Sequence, residues 1–272
     1  MGIKRSAKLP KRKVGLALGG GAARGLAHIG VLSVLEKEGI SIDMIAGTSM
    51  GALIGALYAQ GKNADQMKDL AMELGSKRFS FLVDPALPKT GLIRGRRIRN
   101  VLKSIMGNVE FGDLRLPFAC VATDIRTGEE VVIKQGLVRE GVMASSSIPI
   151  MFTAVKWKSK YLVDGGLVNP VPASVLREMG ADFIIAVNVE PSISDRLHHV
   201  DKEPNIFNII MQTLYIAVYQ SLKASLGEAD VVIEPQVASV GHFDFHRVQE
   251  CILQGELAAQ ASIVEVKRQL KV

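Results

Sequence analysis

Three short segments carry residue types whose spacing could do chemistry. In Gly47-Thr48-Ser49-Met50-Gly51 a serine stands between two glycines, after an apolar run and before a run of small helical residues. Such a strand-to-helix turn lifts a hydroxyl off the strand end and sets a helix N-terminus behind it, the placement an acyl-accepting nucleophile needs. Gly47 and Gly51 fit a turn too sharp for a Cβ. In Gly19-Gly20-Gly21-Ala22-Ala23-Arg24-Gly25 a glycine loop again precedes a helix, and its backbone N–H groups suit an anion. Neither nucleotide pattern fits. The dinucleotide pattern fails at its sixth position, Arg24. The P-loop pattern fails because Gly25 is followed by Leu26 and Ala27 instead of Lys and Ser/Thr. An oxyanion formed by attack on an ester remains, and each preset donor can stabilise it by roughly 3 kcal/mol. The third segment is Asp164-Gly165-Gly166, an acid held between an apolar strand and a sharp turn. Alone it is an ordinary Asx turn; beside the other two it is a candidate base.

The elements that must position these groups follow from apolar periodicity. Strands are expected at Val14–Leu18, Ile40–Ala46, Phe118–Thr123, Glu130–Ile133, Lys160–Val163, Phe183–Val189 and Val231–Ile233. Helices are expected at Ala22–Glu38, closed by Gly39, and at Met50–Gln60, closed by Gly61. A third starts at the Asn63/Gln66 capping pair and ends near Gly75. Pro172 and Gly180 bracket a further helix, Ile206–Tyr219 has amphipathic character, and His246–Leu270 closes the chain. Asn208, Gln212, Tyr215 and Tyr219 form a polar stripe on one face of the Ile206–Tyr219 helix. The middle is less regular, with a proline-broken apolar stretch at Phe79–Pro88 that could act as a lid. Alternating strands and helices with strongly apolar strands argue for a three-layer α/β/α sandwich around a mainly parallel sheet.

The combination of Gly-Gly-Gly-x-x-Arg-Gly, Gly-x-Ser-x-Gly 28 residues on, and Asp-Gly-Gly resembles the patatin-like phospholipase family, most of all its small single-domain bacterial members. Ala144-Ser145-Ser146-Ser147-Ile148-Pro149 before the acid and Leu167-Val168-Asn169-Pro170-Val171-Pro172 after it share the resemblance, which covers roughly residues 14–200. It implies a patatin-like α/β/α fold and acyl-ester hydrolysis of lipids, phospholipase A or lysophospholipase in kind, by a Ser–Asp dyad through an acyl-enzyme. Carried over by position, Ser49 is the nucleophile and Asp164 its partner, with Gly165 and Gly166 beside it. The loop Gly19, Gly20 and Gly21, with Arg24 nearby, forms the oxyanion hole. Elbow geometry adds the Met50 N–H as a further donor. An acyltransferase or thioesterase using the same acyl-enzyme stays open, as does a non-catalytic phosphate- or nucleotide-binding module.

Of five histidines, a triad member in hydrolase chain order would follow Asp164, as His198, His199, His242 and His246 do. None sits in a motif that fixes it, and His28 reads as structural. The resemblance favours the dyad. No metal ligand cluster and no cofactor motif is found.

Charge is unevenly placed. Six of the 33 basic residues and none of the 27 acidic ones lie in the first 13 positions, so the remainder balances 27 against 27. The neutral body gives no reason to expect nucleic acid. The tail, residues 1–13, is expected to be disordered, and residues 14–272 to form the hydrolase domain. The tail lacks a signal-peptide core. Its charge, and the cluster Lys89, Arg94, Arg96, Arg97, Arg99 and Lys103, fits either solvation or peripheral contact with an anionic membrane. Two cysteines exclude a disulfide framework and imply a reducing compartment. The expected location is cytoplasmic, with contact at the inner membrane face. A GxxxG ladder at Gly47, Gly51 and Gly55 belongs better to the elbow than to a membrane helix.

Overall fold

The computed structural model describes residues 12–76, 95–192 and 206–271, the side chains at 207, 208 and 211 excepted. Most of the tail, Phe79–Pro88, Lys89, Arg94, His198, His199 and the Asn208 side chain lie outside the described residues. The strands are β1 (Val14–Leu18), β2 (Met44–Thr48), β3 (Phe118–Asp124), β4 (Glu130–Ile133), β5 (Val155–Trp157), β6 (Lys160–Asp164), β7 (Phe183–Val187) and β8 (Val231–Ile233). The helices are α1 (Ala27–Lys37), α2 (Met50–Ala59), α3 (Ala64–Ser76), α4 (Arg96–Met106), α5 (Val138–Ser145), α6 (Ala173–Glu178), α7 (Ile206–Gly227) and α8 (Val248–Leu270).

The five strands β3-β2-β1-β7-β8 run parallel, and β4, β5 and β6 extend the β3 side antiparallel. β1, β2, β3 and β7 are buried at every position. That is the reason they read as unbroken apolar runs: helices cover both faces of a parallel sheet. Leu16, Leu18, Ile45, Phe183 and Ile185 face a layer built from α1 to α5 and α8. Ala17, Ala46, Ala119 and Ala186 face α6 and α7, and their small size lets that second layer sit close. The architecture is the expected three-layer sandwich.

Several boundaries differ from expectation. β2 begins at Met44, not Ile40, and runs through Thr48. Ile40 and Ile42 are buried, which made them look like strand, but pairing with β1 starts at Gly15↔Met44. Asp43 closes the ladder there, its carboxylate accepting the Val14 N–H at 2.8 Å. The turn expected over Gly47–Gly51 therefore contracts to Ser49 alone. Ala22–Leu26 is a 3-10 turn preceding α1 instead of its first turn. α5 and β5 lie between the strands expected at Glu130–Ile133 and Lys160–Val163, where no element was expected. The Asn63/Gln66 capping box is present, each side chain accepting the other's backbone N–H.

One register positions the site. β3 pairs first with β2, Thr48 opposite Val121, and then with β6, Ala122 opposite Asp164. Its other edge is occupied by β4 over Cys120–Thr123. β2 and β6 therefore lie along the same edge of β3 and meet end to end. The residue after Thr48 and the last residue of β6 are brought face to face.

Candidate active site

Ser49 sits in that gap with φ 54° and ψ −118°, a backbone region that costs a non-glycine residue about 1–3 kcal/mol. Close packing holds it there. A Cβ at Gly47 would lie 2.5 Å from the Gly51 carbonyl oxygen, and one at Gly51 2.1 Å from that of Leu18. The Ser49 N–H donates to Ser145 Oγ at 2.9 Å, and Ser145 donates to the Val121 carbonyl at 2.5 Å. Thr48 donates its hydroxyl to the Asn169 carbonyl. The elbow is thus fastened to α5, to β3 and to the segment that follows Asp164. The Ser49 side chain does not cap α2; Ser49 and Asp164 line the same pocket, and the hydroxyl lowers the proton affinity of the Asp164 carboxylate.

Asp164 is fixed as firmly. Its N–H donates to the Ser147 carbonyl at 2.9 Å, and its carbonyl accepts from Thr123 Oγ1 at 2.8 Å. One carboxylate oxygen accepts the Gly166 N–H at 2.8 Å. A Cβ at Gly165 would strike the Val121 carbonyl oxygen, so the chain can turn there only with glycine. Burial pushes the Asp164 carboxyl up to about 6, against the lowering effect of the Ser49 hydroxyl and the Gly166 N–H, with Glu190 adding a smaller upward push. No histidine contributes to that balance.

The glycine loop is brought beside Ser49, but its donors differ in what they do. Gly19 donates to the Val187 carbonyl and Gly20 to the Pro170 carbonyl, both at 3.0 Å. The first continues the β1–β7 pairing, and the second ties the loop to the segment that follows Asp164. Gly21 caps the 3-10 turn, Ala22 is its first residue, and Met50 opens α2; their N–H groups have no backbone acceptor among the described residues. Ala22 takes a positive φ of 49°. Arg24 does not point its guanidinium into a hole. Its Nε donates to the Val240 carbonyl at 2.8 Å, and it forms a largely buried ion pair with Glu190 at 3.1 Å.

His28 is fully buried, its Nε2 2.8 Å from the Gly19 carbonyl, and desolvation lowers it to about 4. It is a neutral donor that holds the loop, the structural role expected. His242 lines the same pocket as Ser49 and Asp164, while its backbone carbonyl accepts the Ala23 N–H. His246 is exposed. Both cysteines are buried, and burial pushes the Cys120 thiol up, so neither is a rival nucleophile.

Two spaces open on Ser49. One is an apolar cavity of about 210 Å³ between α2, α3, α4 and α5, with Leu53, Leu57, Leu70, Ile98 and Ile105 in its wall. The other, of about 120 Å³, holds Asp164, Glu190, Tyr215 and His242. Among the described residues no group of His, Cys, Asp and Glu could hold a metal ion. Ser145, Ala22 and Glu190 were not singled out from the sequence. Ser145 had a signal in the hydroxyl-rich run before Ile148-Pro149, and Ala22 in its place directly after the three glycines; Glu190 had none.

A serine on a strained strand-to-helix junction, a buried carboxylate in the same pocket and amide N–H groups without a backbone acceptor among the described residues thus stand together on an α/β sandwich. The patatin-like phospholipase profile matches residues 16–177, and the chain belongs to that family. An uncharacterised NTE family protein of Mycobacterium tuberculosis is 35% identical over 194 residues, covering 71% of this chain and 53% of that protein. A lysophospholipase NTE1 of the yeast Meyerozyma guilliermondii is 29% identical over 277 residues, 92% of this chain but 19% of that protein. The chain thus spans about half of the first relative's length and less of the second. VipD of Legionella pneumophila shares the fold with a TM-score of 0.59 at 14% identity, over 93% of this chain and 67% of that one.

Proposed function

We propose that the chain is a serine acyl-ester hydrolase acting on lipids, of the phospholipase A or lysophospholipase kind. Ser49 is the nucleophile, Asp164 the base, and residues 14–272 form the hydrolase domain. The observation that carries this reading is that Ser49 and the buried Asp164 carboxylate line one pocket, with Ser49 also in the wall of an apolar cavity. Ser49 Oγ attacks the ester carbonyl carbon as its proton passes to Asp164. The oxyanion is met by the N–H groups of Gly21, Ala22 and Met50, a narrower set than the loop as a whole, aided by the positive end of α2. The C–O bond breaks, and the leaving alkoxide takes the proton from Asp164. Water, deprotonated by the same carboxylate, then releases the fatty acid from the acyl-enzyme. A carboxyl raised to about 6 is a better base than an ordinary aspartate, because its affinity for the proton lies nearer working pH. Arg24, in this account, positions Glu190 and the Val240 loop instead of meeting the oxyanion.

The acyl chain occupies the apolar cavity, and the head group and leaving alcohol the smaller pocket. A cytoplasmic enzyme in peripheral contact with the inner membrane face fits the basic tail and the exposed Arg96, Arg97, Arg99 and Lys103 of α4. No helix among the described residues is long and apolar enough to cross a membrane. The test is direct: wild type is labelled by a fluorophosphonate and hydrolyses p-nitrophenyl butyrate, while Ser49→Ala does neither and keeps its circular dichroism. Turnover by folded Ser49→Ala ends the assignment.

A further inference from the structure

A second surface lies just outside the site. Ile125, Ile150 and Tyr161 are 52%, 45% and 36% exposed and line one open trough. Ile150 has φ 72°, where a β-branched side chain is an outlier. The fold thus tolerates local strain at a residue whose apolar side chain faces water, two costs in one place. Cations rim the trough. Lys156 is paired across the strands with Tyr161, so both side chains share a face, and the Arg126 guanidinium lies 4.6 Å from the Tyr161 ring centroid. Neither cation forms an ion pair among the described residues, whereas nearby Lys160 is paired with Asp124 and Glu129. The trough is also continuous with the site: Pro149 lines it and the Asp164 pocket, and Phe152 lines it and the acyl cavity.

We propose that this trough is the surface on which the enzyme seats on a phospholipid bilayer. Ile125 and Ile150 enter the acyl boundary, Tyr161 lies at head-group level, and Arg126 and Lys156 face lipid phosphates. A lipid leaving the bilayer then needs to cross only the Pro149–Phe152 lip to reach Ser49. This differs from attraction by α4, whose apolar side chains Ile98, Val101, Leu102, Ile105 and Met106 are buried or half-buried. The route to Ser49 rests on the hydrolase reading; the docking itself does not.

The experiment uses the full chain with sucrose-loaded vesicles of phosphatidylcholine, with and without phosphatidylglycerol, and p-nitrophenyl butyrate as a soluble substrate. Binding is also measured on Ser49→Ala, which removes hydrolysis from the readout. Ile125→Glu/Tyr161→Glu is expected to lower vesicle partition at least about tenfold, with butyrate turnover within about twofold of wild type. Arg126→Gln and Lys156→Gln should each lower partition about fivefold on anionic vesicles and leave neutral vesicles unaffected. Unchanged partition of the double variant overturns the proposal. So does loss of binding in Arg97→Glu/Lys103→Glu while the trough variants still bind. Self-association in sedimentation velocity that the double variant abolishes assigns the trough to a second copy of this chain and overturns it too. Absence of butyrate turnover in wild type would instead count against the hydrolase reading.

Discussion

Replacing Asp164 with asparagine should remove activity and add stability, with a pH dependence that follows from the buried carboxyl. In the folded chain this group holds its proton up to about 6, against an ordinary value of 3.8. Between those values the folded state binds more protons than the unfolded one, so wild-type stability falls as pH rises through the window. Two units at 1.36 kcal/mol each give about 3 kcal/mol lost above pH 6. Asparagine carries no such cost, and its Oδ1 can still accept the Gly166 N–H. The stability of Asp164→Asn relative to wild type should therefore be near zero at pH 3.5 and rise to about 3 kcal/mol at pH 7.5. His28 acts in the opposite sense. Its folded value of about 4 lies below the ordinary 6.5, so its contribution is complete above pH 6.5 and is lost as pH falls toward 4. The two slopes nearly cancel in wild type, and Asp164→Asn uncovers the His28 slope. Urea unfolding of both proteins at half-unit pH steps, with butyrate hydrolysis alongside, measures all of this. A stability difference that does not vary with pH, or a variant less stable at pH 7.5, refutes the reasoning. Wild-type kcat/KM should fall about tenfold per unit below pH 6.

Other outcomes follow from the site's construction. Ser145→Ala leaves the Ser49 N–H without its acceptor and should cost about 1–3 kcal/mol in urea unfolding, with a fall in kcat larger than any change in KM. Leu70→Trp fills part of the apolar cavity. Excluding two methylenes at about 0.8 kcal/mol each should lower kcat/KM for p-nitrophenyl dodecanoate about fifteenfold while butyrate is hydrolysed as before. His242→Gln should keep most ester turnover, because the groups that set the Asp164 carboxyl are Ser49, Gly166 and Glu190 and include no histidine; a folded but inactive variant would restore a triad.

The candidate dyad was legible in the sequence because its demands are local. A turn without room for a Cβ needs Gly47 and Gly51 whatever the rest of the fold, and Asp164 is marked by the glycine behind it. The three-layer fold was legible for a similar reason, since fully buried strands leave long apolar runs. The choice of amide donors was not legible. Gly19 and Gly20 look like the best candidates until the Val187 and Pro170 carbonyls, 168 and 150 residues further along the chain, are known to engage them. The start of β2 was misread because Ile40 and Ile42 are buried without being paired. α5 and β5 were hidden because eight residues make only about two helical turns and three residues only a single alternation. The strain at Ile150 has no sequence signature at all.

The meeting of β2 and β6 along a single edge of β3 has a consequence for how the chain matures. Ser49 and Asp164 come from segments more than a hundred residues apart, and they converge only when the antiparallel flap has settled against the strand that the nucleophile's own strand already flanks. Long-range pairing of this kind closes late, because loop entropy opposes it until neighbouring contacts exist. Esterase competence should accordingly be among the last properties to return on refolding, and local fraying of that edge would silence the molecule while its parallel core stayed intact.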